Sequence, residues 1–291
     1  MQARLLVDCA NQHGEGVLWS AEHGLVMWTD IHGERVWSLD PATGATRSYA
    51  VPGRVCCFAP RAGRAPTGIL AGFAEGIAFL DLDTGRREDL AAFEPDLPQT
   101  RLNDGRTDRQ GRFVLGGMDE RDGRPVSSVA RVDADGVVTT LFDGVACANS
   151  TCFSPDGSTL YFADSLTRRI EAFAYDQAAG TPGQRRTLVE RAGQGVPDGS
   201  CVDAEGFIWN AVWDGGRVER WSPEGRLAAV IELPVARPTC CAFGGPDLAT
   251  LYITTSRLGL AGEDLARQPA AGSLFIAVPG VRGVADTPFA G

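Results

Sequence analysis

The chain has 291 residues, 44% hydrophobic and 22% charged, a globular balance that indicates neither disorder nor a fibre. A formal net charge of −10 argues against nucleic acid and anionic membrane surfaces as partners, because both select clustered Lys and Arg. No apolar run approaches the roughly 18 residues that span a bilayer and residues 1–8 lack a signal-peptide core, so a cytoplasmic protein, free of membranes and monomeric by default, is expected.

In chain order the sequence repeats one grammar: an apolar run, a turn with Asp, Glu or Gly, a second β-rich run, another turn, and a strand closing on a Gly turn. The first unit reads 16–19, then 25–30 (Leu-Val-Met-Trp-Thr-Asp), then 35–40 before a turn at 41–44. The second holds 55–58, 68–73 and 76–81, and the third runs from Asn103 through 113–117 to 128–133. The fourth holds 151–157, 160–164 and 170–173, the fifth 203–206, 207–212 and 217–221, and the sixth 239–243, 251–255 and 273–277.

Equivalent points set the period: Asn103 to Asn149 is 46 residues and Asn149 to Asp198 is 49. Units of about 40–50 residues with about four strands each mark propeller blades. No helical stretch of 3.6-residue period separates them, which disfavours βαβ units. The chain is therefore predicted to be all-β, a six-bladed β-propeller with four antiparallel strands per blade, residues 1–291 forming a single domain. A strand within residues 3–9 would pair into the last blade, close the ring and remove an open sheet edge.

In such a ring the innermost strand of each blade lines a central channel, and the loop entering it opens at one mouth. The residues at that phase are Glu15, Arg54 or a neighbour, Asn103, Asn149, Asp198 and the Pro238-Thr239 pair. Any one of the Asn or Asp residues reads first as a turn former. Oxygen-bearing side chains from four of six units at one phase read as a site, since carboxylates gathered at one point repel without a cation. Such donors suit Ca²⁺, Mg²⁺ or Mn²⁺ and admit Zn²⁺.

Eight cysteines include the adjacent pairs Cys56-Cys57 and Cys240-Cys241 but no C-x-x-C. Neighbours on a strand face opposite sides, so buried free thiols are expected in preference to disulfides or a zinc site. Of His13, His23 and His32, His13 is expected in a loop or on the surface, with a place behind Glu15 as the alternative. No G-x-S-x-G elbow occurs and no His follows position 32, which removes a Ser-His-Asp hydrolase. No G-x-G-x-x-G opens a helix, which leaves a nucleotide cofactor unsupported.

Seven short motifs occur in a telling order: Gly14-Glu15-Gly16 with Trp19, Arg101-Leu102-Asn103-Asp104-Gly105, Asp108 with Gly111-Arg112, Ser154-Pro155-Asp156-Gly157, Pro197-Asp198-Gly199, Gly206 with Trp209, and Phe243-Gly244-Gly245. Together they resemble the regucalcin/gluconolactonase family, also called senescence marker protein 30, over nearly the whole length, through the final Phe289-Ala290-Gly291. The resemblance implies a propeller that binds one divalent metal ion, Ca²⁺ or Zn²⁺ foremost with Mg²⁺, Mn²⁺ or Fe²⁺ as alternatives, and hydrolyses sugar lactones. It implies Glu15, Asn149 and Asp198 as metal ligands, Arg101 and Asn103 as sugar contacts, and Asp198 as the catalytic residue. Val17 departs from a frequent Pro and Gly116-Gly117-Met118 from Gly-Thr-Met; a sugar-contacting Glu beyond that motif falls on Arg121 here, with Glu120 adjacent.

A lactone is an ester already prone to hydrolysis, so polarising its carbonyl while water attacks is sufficient chemistry. Asp198 either takes the water's proton or orients metal-activated water, since a cation-bound carboxylate is a weak base. The expected reaction opens a gluconolactone-like or pentonolactone-like ring to the aldonic acid. Two readings stay open beside it: a phosphotriesterase or paraoxonase-like esterase, favoured by an apolar mouth, and a non-catalytic calcium-binding regulatory protein.

Overall fold

The computed structural model describes residues 1–291. Its strands form six four-stranded antiparallel sheets, and the fold is the predicted six-bladed β-propeller. The innermost strands are Gly14–Ser20, Val55–Pro60, Thr100–Thr107, Ala148–Phe153, Val196–Val202 and Pro238–Gly244. Each packs against the inner strand on either side, which closes the circle.

The second strand of a blade is covered on both faces by neighbouring blades, which is why segments such as Leu25–Asp30, Gly68–Phe73 and Ile208–Trp213 read as mainly apolar runs. Six apolar clusters result, one at each seam. Leu18, Met27 and Val36 of the first blade meet Phe58, Ile69 and Phe73 of the second. Val114 and Val129 of the third meet Phe153, Leu160 and Phe162 of the fourth. At roughly 1.5–3 kcal/mol per fully buried large side chain, these seams are what hold the ring.

The ring closes as expected, by a shorter segment: Arg4–Val7 pairs antiparallel with Leu274–Ala277, completing the sheet that holds Pro238–Gly244 and Thr250–Thr255. The eight cysteines are all free thiols, as the sequence suggests. No helix is long and apolar enough to cross a membrane.

All six inner strands carry a pairing irregularity at the same phase. The register slips between Glu15 and Leu18, Val55 and Cys57, Leu102 and Asp104, Asn149 and Cys152, Pro197 and Ser200, and Pro238 and Cys241. A bulge frees one residue from the ladder and re-aims its side chain. Here Glu15, Asn103, Asn149 and Asp198, at or beside four of the slips, face one end of the channel. Ser150 takes the left-handed conformation at φ 58°, a conformation uncommon outside Gly. Its hydroxyl donates to the Asp198 carbonyl at 2.6 Å and accepts from Asn210, which fixes the bulge of one blade against the next.

The opposite end of the channel is crossed by the last residues of the chain. Ala204 donates to the Arg282 carbonyl and Gly283 to that of Leu248, each at 2.8 Å. Asp286 accepts from the Trp19 amide at 3.2 Å and pairs with Arg106 at 3.3 Å. Phe289 exchanges backbone hydrogen bonds with Pro60 and Ala62, and its ring is fully buried between the second and third blades. Ala290 donates to Gly111, and Thr107 donates to the Thr287 carbonyl. The segment is thus a strap across the far mouth.

Candidate functional site

Glu15, Arg101, Asn103, Asn149 and Asp198 line a single cavity of about 220 Å³ at the open end of the channel. That volume lies just below the roughly 300–1,000 Å³ of pockets that take drug-sized ligands and suits one small molecule. A larger hollow of about 540 Å³ beside Arg61, Phe79 and Arg86, on the outside of the second blade, gathers none of the candidate residues.

The two carboxylates are buried and in hydrogen-bonding contact. Burial first, then the charge of Asp104, push Glu15 up to about 8, against the opposing pull of the Gly16 amide and the Arg101 and Arg106 guanidiniums. Burial and the neighbouring Glu15 raise Asp198 well above the usual carboxylate range. Asp104, deeper in the channel, is raised by burial too, although it accepts from the Thr151 amide at 2.8 Å. A buried charge that nothing neutralises takes a proton or a cation.

Asn149 turns its amide oxygen to the cavity for a reason visible in the hydrogen bonds. Ser165 has one hydroxyl proton and donates it to the Pro197 carbonyl at 2.6 Å, so its oxygen must accept from Asn149 Nδ2 at 2.9 Å. The Oδ1 atom is left on the cavity side, where Asn103 Nδ2 approaches to 3.4 Å.

Arg101 is buried, and its Nε donates to Glu120 Oε1 at 2.9 Å. Its Nη1 donates to the Leu102 carbonyl and to Asn103 Oδ1, both at 2.8 Å. Glu120 Oε1 also accepts from Arg54 at 2.7 Å. Glu120 is therefore the acid that steadies Arg101, while Arg121 is exposed and does not line the cavity. In the second blade the bulge falls at Cys56, whose thiol faces Arg101 at 3.8 Å, and not at Arg54, which stands farther out at the mouth. In the sixth, Thr239 turns away to donate to the Gly14 carbonyl at 2.6 Å.

Three groups of wall residues escaped the sequence reading. His13 is no surface residue: it is 7% exposed and lines the cavity, its backbone amide held by Asp30 at 2.8 Å. Burial and then the Arg101 charge depress its basicity well below the ordinary histidine value. Met118, Leu166, Val196, Trp213 and Leu258 make the rest of the wall apolar, and Cys147 adds a thiol that burial pushes up to about 12. Met118 and Trp213 arrive from second strands and Leu166 and Leu258 from mouth loops, away from the bulges. His13, Cys147 and Val196 carried a signal, since each lies two residues before Glu15, Asn149 or Asp198 and extended chain returns to the same face every second residue.

The sequence profile described as SMP-30/Gluconolactonase/LRE-like region matches residues 13–257. The chain belongs to that family. Among family relatives it is 39% identical to L-arabinolactonase of Azospirillum brasilense, over 100% of this chain and 96% of the relative. It is 36% identical to 6-deoxy-6-sulfogluconolactonase of Pseudomonas putida, over 96% and 95% of the two chains. In structure it is similar to the calcium-binding protein regucalcin from Agrobacterium tumefaciens, with a TM-score of 0.92 and 32% identity over 99% of this chain and 97% of that one.

The family resemblance implies a divalent ion, and the donors can be tested against it. No group of three or more His, Cys, Asp or Glu side chains gathers anywhere on the chain, which leaves no closed nitrogen or sulfur cage of the structural zinc kind. Two carboxylates and an oriented amide oxygen, all hard donors with open cavity beside them, do fit an oxygen-seeking cation that keeps positions for water or substrate.

Proposed function

We propose that the protein is a divalent-metal-dependent lactonase that hydrolyses a sugar lactone to its aldonic acid. The observation that carries this reading is the uncompensated pair of buried carboxylates, Glu15 and Asp198, beside the fixed Asn149 oxygen on a wall shared with Arg101 and Asn103. The lactonase names of two relatives support the substrate class. Glu15, Asn149 and Asp198 would hold the ion, with Ca²⁺ or Zn²⁺ the first to test. What such an ion supplies when bound is Lewis-acid stabilisation of the charge that develops on the lactone carbonyl oxygen.

The chain's own groups do the rest. Asp198 orients the attacking water and takes its proton; the water oxygen adds to the carbonyl carbon, the ring C–O bond breaks, and the proton passes to the departing ring oxygen as a hydroxyl. A carboxylate shared with a cation is a weak base, and a lactone, as a reactive ester, asks little more. Arg101 has Nε and Nη1 committed, which leaves Nη2 to donate to a substrate oxygen. Asn103 holds that guanidinium in place and meets the sugar beside it. One chain supplies every one of these residues, so a monomer suffices, and no nucleic acid or membrane enters the reaction.

The test is a pH-indicator assay over 1,4- and 1,5-lactones of pentonic and hexonic acids, with chelator-stripped protein and single divalent ions added back. Expected are turnover only with an ion present, and none for Asp198→Ala with its melting transition retained. An active Asp198→Ala overturns the role of Asp198. Turnover undiminished by chelation overturns the metal dependence. The apolar wall would also accept an aryl ester or a phosphotriester, so the panel includes both, and preference for either over every sugar lactone overturns the substrate class. Tight Ca²⁺ binding with no turnover of anything would make the protein a non-catalytic calcium binder.

A further inference from the structure

The His13 imidazole sits on the cavity wall with its ring edge-on to both His32 and Trp213, centroids 5.5 Å away in each case. Its Nδ1 lies 2.9 Å from Ser256 Oγ. The hydroxyl has a single proton, and the Gln12 carbonyl stands at 3.0 Å to receive it. The same oxygen already accepts from the Leu258 amide at 3.0 Å, and with its proton on Gln12 its second lone pair accepts from His13 Nδ1–H. In that arrangement the ring is neutral and protonated at Nδ1, and Nε2 carries a bare lone pair. No group of the protein hydrogen-bonds Nε2, and the atom is not among the sealed, unpartnered polar atoms of the interior, so it opens on the cavity.

We infer that His13 is a specificity residue, whose Nε2 accepts a hydrogen bond from one hydroxyl of the substrate and so selects lactones that carry that hydroxyl in the right place. Arg101 and Asn103 offer donors to substrate oxygens, whereas His13 is a neutral acceptor on the wall, able to read a hydroxyl as a donor. Ser256 is the positioning residue behind it. A sugar lactone differs from a plain lactone only in its hydroxyls, so an acceptor held rigid by Ser256, His32 and Trp213 discriminates where the carboxylates cannot. The inference rests on the lactonase reading and deepens it.

The experiment compares kcat and KM of the holoenzyme and of His13→Phe on a parent lactone and on its monodeoxy analogues, one hydroxyl removed at a time. A neutral hydrogen bond corresponds to a loss of about threefold to tenfold in kcat/KM. Expected is that loss, carried mainly by KM, for His13→Phe on the parent, with the same loss for wild type on one deoxy analogue and none further for His13→Phe on that analogue. Ser256→Ala serves as the second variant: it frees the tautomer while leaving the ring, so the wild-type penalty on that one analogue should shrink. If His13→Phe does not fold, the Ser256→Ala comparison decides. An equal loss on every lactone, or no loss on any, together with an unchanged deoxy penalty in Ser256→Ala, overturns the inference and leaves the lactonase reading standing. Absence of lactone turnover by wild type overturns both.

Discussion

Removing the negative charge of Asp198 should stabilise the metal-free protein while destroying its function. In the folded chain Glu15 is pushed up to about 8 from an ordinary 4.5, by burial first and then by the charge of Asp104. At about 1.4 kcal/mol per pH unit, keeping it protonated at pH 7, when the unfolded chain has it ionised, costs roughly 3 kcal/mol of stability. The sign follows from proton counts. The folded state holds a proton that the unfolded state has lost, so this stability is complete below pH 4.5 and declines as pH rises toward about 8. Asp198→Asn keeps the shape and deletes the burial cost of the Asp198 carboxyl itself. Urea unfolding followed by tryptophan fluorescence, in chelator at pH 5, 6, 7 and 8, should show wild type weakening over the range. The variant should be flatter and more stable than wild type at pH 7, because the cost of burying the Asp198 carboxyl is gone while that of Glu15 stays. A saturating divalent ion should reverse that order, because only wild type gains binding energy. Stripped wild type with stability flat or rising from pH 5 to 8, or a variant weaker than stripped wild type at pH 7, would refute the electrostatic account.

Two other substitutions test the scaffold. Gly199→Ala places a Cβ 2.7 Å from Cys240 Cβ and 2.9 Å from its Cα, a backbone atom of the neighbouring blade that cannot swing away; a loss of about 1–3 kcal/mol and a fall in lactonase kcat from displaced Asp198 are expected, read by melting and by the pH-indicator assay. Phe289→Ala empties a fully buried site between the second and third blades, and urea titration should show a loss of about 3–5 kcal/mol with the holoenzyme's KM unchanged, since the ring lies at the end of the channel away from the cavity.

Blade number and ring closure were legible because their signals are local. The second and third strands lie between packed blades and read as apolar runs, as in Gly68–Phe73 and Gly76–Asp81. The fourth strands were implied by the period but not located. Arg87–Ala92 and Thr181–Glu190 are largely exposed edges whose side chains carry little pattern, and Pro182 is tolerated there because an edge need not donate. The phase of the repeat brought Glu15, Asn103, Asn149 and Asp198 to one cavity and the family resemblance added Arg101, whereas the second blade's contribution was placed only to Arg54 or a neighbour, since a bulge at Cys56 has no sequence mark. Ser165 and Trp213 went unread for the opposite reason, since they reach the site from a mouth turn and from the end of a second strand.

The strap across the far mouth changes how the molecule comes apart. Repeat architectures touch only their neighbours in sequence order, so they can lose terminal units one at a time. Here residues 282–290 bind the fifth and sixth blades through Ala204 and Leu248, the first through Trp19, the second through Pro60 and the third through Gly111. Blades on opposite sides of the ring are thereby coupled through one short segment. No blade bound to the strap can peel away without breaking contacts that also steady blades it never touches, and denaturation of the ring becomes a single cooperative event.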